Sequence, residues 1–202
     1  MAVEAGAHAL GFVFAPSPRQ VTPEAAAAII AALPPFVQTV GVFVDGDAAR
    51  VLSRCPLDAV QFHGQEPPEE LAALAGVRRI KACRVATSAD LEPLAAYCGA
   101  ADAFLLDAPV PGVAGHGQPF PWPLAREARR FGRPIILAGG LTPENVAAAI
   151  KAGRPDAVDV SSGVEASPGR KDRDRVRRFI AAAMGWSETG EPPKDPSEEM
   201  SR

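Results

Sequence analysis

The chain has 202 residues, of which 47% are hydrophobic and 22% charged, and its formal net charge is −3. This size and composition are typical of one globular domain, and the apolar runs are too short to cross a bilayer. The acidic balance argues against nucleic acid as the main partner. The three cysteines, Cys55, Cys83 and Cys98, lack metal-binding spacing, and such free thiols are typical of a cytoplasmic protein.

Segments rich in β-branched and aromatic residues alternate with alanine-rich segments along most of the chain. The first kind predicts seven strands, which begin near residues 9, 37, 58, 78, 102, 134 and 156. The second kind predicts the intervening helices, and two of these start with Thr-Pro-Glu, where Thr22 and Thr142 are the expected N-caps. Because the strand segments are almost continuously apolar, we expect parallel strands that are buried on both faces.

A βα repeat of roughly 25 residues predicts a TIM-type (β/α)8 barrel, and the alternative is an open doubly wound sheet. The barrel domain is expected to cover residues 1–186. The opening MAVEAG has the pattern of a helix end, so we expect the first strand of the barrel to precede Met1 and seven strands to be present. Residues 187–202 are polar and proline-rich, which predicts a disordered tail.

Polar side chains follow several predicted strands, at the ends that form the active face of a parallel barrel. Asp107 ends an apolar strand, and a carboxylic acid in a partly dry mouth can donate a proton; its alternative role is to cap a loop or pair with a cation. Arg19 can bind a carboxylate with two hydrogen bonds, or be a solvated surface charge. His63 can line a ligand pocket, or be a rim histidine without a chemical role.

The loops after the last two predicted strands suit a phosphate group. Glycines let backbone N–H groups approach an anion, and serines add hydroxyl donors. Phosphate binding by these two loops is common in TIM barrels. The predicted phosphate-binding residues are Gly139, Gly140, Ser161, Ser162 and Gly163. The alternative for the glycine pair is a tight turn that leads into the next helix.

Six segments, found in the same order over about residues 1 to 180, resemble the phosphoribosylanthranilate isomerase family of tryptophan biosynthesis. These segments are GFVFAPSPR, LPPFVQTVGVFV, DAVQFHG, LLDAPVPG, ILAGGLTPENV and DAVDVSSGVEASPGRKD. The resemblance implies a cytoplasmic enzyme that catalyses the Amadori rearrangement of N-(5-phosphoribosyl)anthranilate to 1-(2-carboxyphenylamino)-1-deoxyribulose 5-phosphate. It implies no cofactor, because the iminium intermediate is the electron sink. It also implies a monomer or homodimer that binds neither nucleic acid nor membranes.

The resemblance implies a role for each matching residue. Asp107 matches the general acid, and Arg19 matches the residue that holds the anthranilate carboxylate. His63 matches a pocket residue near the substrate, and Asp159 matches an acidic residue near the sugar or the amine. The two loops rich in glycine and serine match the phosphate site, and no residue matches a metal ligand.

The general base of the family is a cysteine in a Lys-Ile-Cys-Gly segment on the first strand, and we expect that segment upstream of Met1. The chain is therefore expected to be impaired in catalysis and poorly soluble until it is extended. Cys83 lies on another predicted strand and is expected to be a buried structural thiol rather than a replacement base. The alternatives are a non-catalytic partial barrel that binds phosphorylated ligands or pairs with another subunit, and a different barrel enzyme that acts on a sugar phosphate.

Overall fold

A parallel sheet occupies the centre of the computed structural model, which describes residues 1–108 and 121–185. Within these ranges its seven strands are β1 (Ala9–Val13), β2 (Gln38–Phe43), β3 (Ala59–Phe62), β4 (Arg78–Arg84), β5 (Ala103–Asp107), β6 (Ile135–Leu137) and β7 (Ala157–Val158). Each begins within one residue of its predicted start. The predicted tail, residues 187–202, lies outside the described residues.

The strands follow one another in chain order, and every neighbouring pair is parallel. This sequential order is that of a barrel wall, whereas the strand order of a doubly wound sheet reverses part-way across. In the part of the chain that the structure describes, β1 pairs only with β2 and β7 only with β6, so the sheet is an open half-barrel.

Helical segments connect the strands. The α-helices are α1 (Pro23–Ala31), α2 (Ala48–Leu52), α3 (Pro68–Ala73), α4 (Leu124–Ala128), α5 (Val146–Gly153) and α6 (Arg173–Met184). Three segments are 3₁₀-helices: Ser88–Tyr97, Arg129–Phe131 and Ser162–Val164. A short antiparallel hairpin, β8 (Glu165–Ser167) and β9 (Arg170–Lys171), precedes α6. None of the described helices is long and apolar enough to cross a membrane.

The two predicted threonine caps have different outcomes. Thr22 caps α1 as predicted, because its hydroxyl accepts a hydrogen bond from the backbone N–H of Ala25 at 3.2 Å. The prediction for Thr142 is wrong, since α5 begins three residues later and has Asn145 at its N-cap. The Asn145 side chain folds back instead, accepting from Thr142 N at 2.8 Å and donating to Gly140 O at 2.9 Å.

Two apolar layers lie on opposite faces of the sheet because side chains alternate along a strand. The inner face, which lines the barrel, has small and medium-sized buried residues. The outer face packs larger residues against the helices. The inner cluster contains Ala59, Ile80, Ala82, Leu105 and Ala138, and the outer one includes Val60, Phe62, Val85, Phe104, Leu106, Ile135 and Leu137.

Aspartates fasten the amino ends of the strands in a repeated pattern. Three of them immediately precede an odd-numbered strand, and each accepts a hydrogen bond from a backbone N–H of the strand before. The bonds are Thr39 N to Asp58, Arg79 N to Asp102 and Ile135 N to Asp156, each 2.8 Å long. This end of the sheet is therefore held by local ties, and the loops at the carboxyl end remain for ligand binding.

Candidate active site

Three polar residues on adjacent strands face the mouth of the half-barrel. His63 follows β3, Arg84 ends β4 and Asp107 ends β5. Their preceding neighbours on β3 and β5, Phe62 and Leu106, are fully buried in the outer layer. Strand alternation therefore places all three polar residues on the inner face, at the carboxyl ends of the strands.

The side chains of His63 and Asp107 meet across β4. The imidazole Nε2 lies 3.2 Å from Asp107 Oδ2, within ion-pair distance. The angles are not those of a hydrogen bond, and His63 Nε2 is buried without a hydrogen-bond partner among the described residues. The contact is therefore electrostatic and is attractive when the imidazole is protonated. The other carboxylate oxygen, Asp107 Oδ1, accepts a hydrogen bond of 2.8 Å from the backbone N–H of Ala108.

Asp159 brings a second carboxyl group to this mouth. Its backbone N–H donates to Leu137 O at 2.9 Å, which continues the pairing of β7 with β6. Surrounding protein raises the pKa of Asp159 by desolvation, and the negative charge of Asp107 raises it further. The nearby Lys171 and His63 lower the pKa of Asp159. Asp159 is itself an exposed residue, so the rise of its pKa is smaller than complete enclosure would produce.

Arg19 is held by a carboxylate that the sequence did not reveal as its partner. Its Nε and Nη2 donate to the two oxygens of Glu165 at 2.8 and 2.6 Å. Lys171 Nζ also donates to Glu165, at 3.0 Å, and to the backbone oxygen of Ser161, at 2.8 Å. The hydrogen bond from Arg19, supported by Lys171, lowers the pKa of Glu165 to about 2. One carboxylate thus joins the β1 loop to the loop that follows β7.

The glycines of the predicted phosphate site bring three loops into contact. Gly139 has a φ of 78°, and a Cβ there would lie 2.1 Å from Ala108 N, so the β6 loop packs directly on the end of β5. A Cβ on Gly163 would lie 1.8 Å from Leu141 O. Gly140, with a φ of 67°, faces open space. Only glycine lets the loops after β5, β6 and β7 approach this closely.

The two predicted serines lie on the accessible side of these loops. Ser161 and Ser162 are exposed, and Ser162 begins the short 3₁₀-helix over Ser162–Val164. The backbone oxygen of Ser161 accepts a hydrogen bond from Lys171 Nζ, which holds this part of the loop in place. The loop glycines and serines therefore leave backbone and hydroxyl donors free at one side of the mouth.

A buried ion pair supports the loop that carries His63. Lys81 and Glu66 are 6% and 2% exposed, and their Nζ–Oε2 distance is 2.8 Å. Lys81 also donates to Gly64 O at 2.7 Å, and the Glu66 carboxylate accepts from the backbone N–H groups of Gly64 and Asp45. Every charge of this pair is therefore satisfied. Burial opposes ionisation, but the bonds from Lys81 and the backbone prevail and lower the pKa of Glu66.

Several of these residues were not predicted from the sequence. A lysine inside the apolar strand segment RRIKACRV was a signal for Lys81, since a buried ammonium needs a partner. Arg84 in the same segment could have been found from strand alternation. Glu165 and Lys171 lie in DAVDVSSGVEASPGRKD, but nothing local links them to Arg19.

Other potential sites do not compete with this mouth. A recess of about 580 Å³ opens at the other end of the sheet, and its lining includes Asp58 and Asp102, which tie the strand starts. In this recess, Asp58, Arg79 and Asp102 already have structural partners. Within residues 1–108 and 121–185, no group of three His, Cys, Asp or Glu side chains is arranged to hold a metal ion.

Comparison with known proteins identifies the family of this chain. Residues 1–182 match the family model for N-(5'-phosphoribosyl)anthranilate (PRA) isomerase. A PRA isomerase of Geobacter sulfurreducens is 56% identical over 191 residues, covering 92% of each chain. The crystal structure of the Thermotoga maritima enzyme superposes with a TM-score of 0.84 at 46% identity, covering 91% of each chain.

A second solved structure shows the family with a ligand. It is a PRA isomerase in complex with reduced 1-(o-carboxyphenylamino)-1-deoxyribulose 5-phosphate. It superposes with a TM-score of 0.80 at 44% identity over 91% of each chain. The chain therefore belongs to the N-(5'-phosphoribosyl)anthranilate isomerases, enzymes of tryptophan biosynthesis with a TIM-type fold.

Proposed function

We propose that the mouth at the carboxyl ends of the strands converts N-(5-phosphoribosyl)anthranilate to 1-(2-carboxyphenylamino)-1-deoxyribulose 5-phosphate. The observation that supports this most is the convergence of Asp107 with His63 and with the glycine loops on one rim. The substrate needs a proton donor near its ring oxygen and a separate receptor for its phosphate. On this rim Asp107 is the proton donor, and the adjacent loops after β6 and β7 are the receptor for the phosphate.

Asp107 is the proposed general acid for the first step. It protonates the furanose ring oxygen while the C1–O bond breaks and the amine lone pair forms a C=N bond, which opens the ring to an iminium. Asp159 is the proposed partner near the sugar and the amine. Desolvation raises its pKa, and the negative charge of Asp107 raises it further, because two neighbouring carboxyl groups disfavour a second negative charge.

The two ends of the substrate have separate proposed receptors. The phosphate lies over Gly139, Gly140 and the serine loop, where backbone N–H groups and hydroxyls can donate hydrogen bonds. Arg19 remains the proposed receptor for the anthranilate carboxylate, since Glu165 occupies only Nε and Nη2 of its guanidinium. Glu165 orients the guanidinium, and no described residue accepts a hydrogen bond from Nη1.

The second step needs a base that removes the proton from C2, so that the C2–H electrons form a C1=C2 bond and the nitrogen recovers its lone pair. The resulting enolamine then tautomerises to the ketone. Cys83 does not suit this role. Its thiol lies on the outer side of β4, donates to Asp90 O at 3.4 Å, and has its pKa raised by burial and then by Asp90.

An added strand is the proposed source of the base. Within the described residues β1 and β7 each pair with only one strand, and a strand between them would lie beside Asp159 and the Arg19 loop. In the family that this chain resembles, the general-base cysteine is on such a strand. We therefore propose that a strand with the Lys-Ile-Cys-Gly segment completes the barrel, and that the 202-residue chain alone has very low activity and solubility.

The test compares the 202-residue chain with a version extended at its N-terminus by that strand and the start of a helix. We expect substrate turnover and improved solubility only in the extended version, and loss of turnover when the added cysteine is changed to serine. Full turnover by the unextended chain would contradict the proposed base. Ligand binding without turnover in the extended version would favour the alternative, a non-catalytic phosphate-binding barrel.

A further inference from the structure

Arg84 brings a guanidinium group to the mouth and lies outside the set of residues proposed for the reaction. It is the last residue of β4, and the inner-face residues Ile80 and Ala82 precede it at alternate positions. The next residue, Val85, is fully buried in the outer layer and extends the pairing, because its N–H donates to Asp107 O at 3.0 Å. Alternation therefore directs the Arg84 side chain into the mouth, where the residue is exposed.

Arg84 is also the register partner of the proposed acid. The β4–β5 ladder pairs Arg84 with Asp107, so their Cα atoms are neighbours, about 4.8 Å apart, and their side chains leave the sheet on the same face. Asp107 is nevertheless engaged by Ala108 N and His63. Among the residues that the structure describes, the Arg84 guanidinium has no hydrogen-bond or ion-pair partner. An exposed, unpaired cation beside the acid is suited to bind an anionic group of a ligand.

The strand order indicates which anionic group this is. The proposed phosphate loops follow β6 and β7, and the proposed acid is on β5. From a phosphate over those loops and a ring oxygen at Asp107, the rim continues past β5 to the neighbouring strand β4. Arg84 lies on that strand. Arg19, in contrast, follows β1 and already donates from two nitrogens to Glu165.

We propose that Arg84 binds the aromatic carboxylate of the substrate, as a second guanidinium in addition to Arg19. This rests on the proposed function, because it takes the phosphate and acid positions from it. The role is one of binding and specificity: Arg84 selects substrates that have a carboxylate on the aromatic ring. It takes no part in proton transfer.

The test uses two ligands and three variants of the chain in its version extended at the N-terminus. One ligand is reduced 1-(o-carboxyphenylamino)-1-deoxyribulose 5-phosphate, and the other is its phenylamino counterpart without the carboxylate. Dissociation constants are measured by calorimetry for the unsubstituted chain, R84Q, R19Q and R78Q. Arg78 is the matched control, because it is the exposed first residue of the same strand and lies at the opposite end of the barrel.

We expect R84Q to weaken binding of the carboxylate ligand roughly tenfold or more, as for loss of a charged hydrogen-bond pair. Binding of the counterpart should change less than about twofold, and R78Q should leave both constants unchanged. An equal loss for both ligands, or no loss, would overturn the proposal. So would a carboxylate-specific loss confined to R19Q.

The same measurements separate this proposal from the proposed function. If the unsubstituted chain binds neither ligand, the proposed function fails, and the role of Arg84 fails with it. If the unsubstituted chain binds the phosphorylated ligands but R84Q keeps the same preference for the carboxylate, only the role of Arg84 is wrong.

Discussion

The imidazole of His63 lies 3.2 Å from the carboxylate of Asp107, although the two residues belong to strands that are separated by β4. The contact spans the inner face of the half-barrel at the carboxyl ends of the strands. It places a group that can be positively charged against the proposed acid. Because the geometry is not that of a hydrogen bond, His63 is expected to influence Asp107 through charge and position rather than through a shared proton.

Replacement of His63 by asparagine tests that distinction. In the extended version of the chain, we expect H63N to lower kcat by roughly tenfold or less, compared with about 10²–10⁴ for loss of a general acid. The reason is that the imidazole only orients and polarises its neighbour. Steady-state kinetics of the variant would measure this, and a loss as large as that of D107N would assign proton transfer to His63 itself.

The loop glycines predict a contrast between two neighbouring substitutions. Gly139→Ala should disrupt both folding and activity, because the new Cβ would clash with Ala108 N beside Asp107. Gly140→Ala meets no atoms within 4 Å and adds only the strain of a positive φ, about 1–3 kcal/mol. Urea unfolding of both variants should show the larger loss of stability for Gly139→Ala. Equal losses would mean that the close contact between the β5 and β6 loops is not tight in solution.

The buried pair of Lys81 and Glu66 predicts a strong asymmetry between single and double substitutions. Lys81→Met leaves the buried Glu66 carboxylate without its cation, which should cost about 3–5 kcal/mol of unfolding free energy. Adding Glu66→Gln removes the uncompensated charge, so the double variant should regain part of that loss. Denaturant titration of the three variants measures the coupling. A double variant as unstable as the sum of the two single ones would contradict the pairing.

The low pKa of Glu165 predicts how its contribution depends on pH. Its pKa falls from an ordinary value of 4.5 to about 2 in the folded chain, so the folded state favours the carboxylate. The resulting stability is fully present above pH 4.5 and is lost as the pH falls toward 2. Compared with E165Q, the parent chain should be more stable by about 1–3 kcal/mol at neutral pH.

The measurement is the difference in unfolding free energy between the parent and E165Q from about pH 7 to about pH 3. A constant difference down to about pH 4.5, followed by a decline, supports the contact of Glu165 with Arg19 and Lys171. A difference that disappears between about pH 7 and pH 5 would contradict it, because an ordinary carboxylate remains ionised there.

The positions of the strands could be predicted from the sequence more accurately than the contacts between side chains. Apolar runs identify the start of each strand to within one residue, since burial on both faces leaves few polar positions in them. The Thr142 cap was misplaced because the Asn145 side chain bonds back to the glycine turn and delays the helix. The Arg19–Glu165 pair joins residues that are 146 positions apart, and no local pattern records a contact over that distance.

The sequential order of parallel strands is enough to place Asp107 and the glycine loops on one rim. Strand order does not reveal that Glu165 binds the Arg19 guanidinium, or that Arg84, next to Asp107, has no side-chain partner among the described residues. These side-chain contacts depend on how loops from distant parts of the sequence pack against each other.

The most direct measurement is the turnover of N-(5-phosphoribosyl)anthranilate by the extended chain with and without D107N, together with the affinity of each form for the reduced product. The proposed mechanism predicts turnover by the parent, a fall in kcat of about 100-fold or more in D107N, and similar ligand affinity in both. Turnover by D107N at the parental rate would contradict the assignment of Asp107 as the acid, and with it the proposed chemistry of the rim.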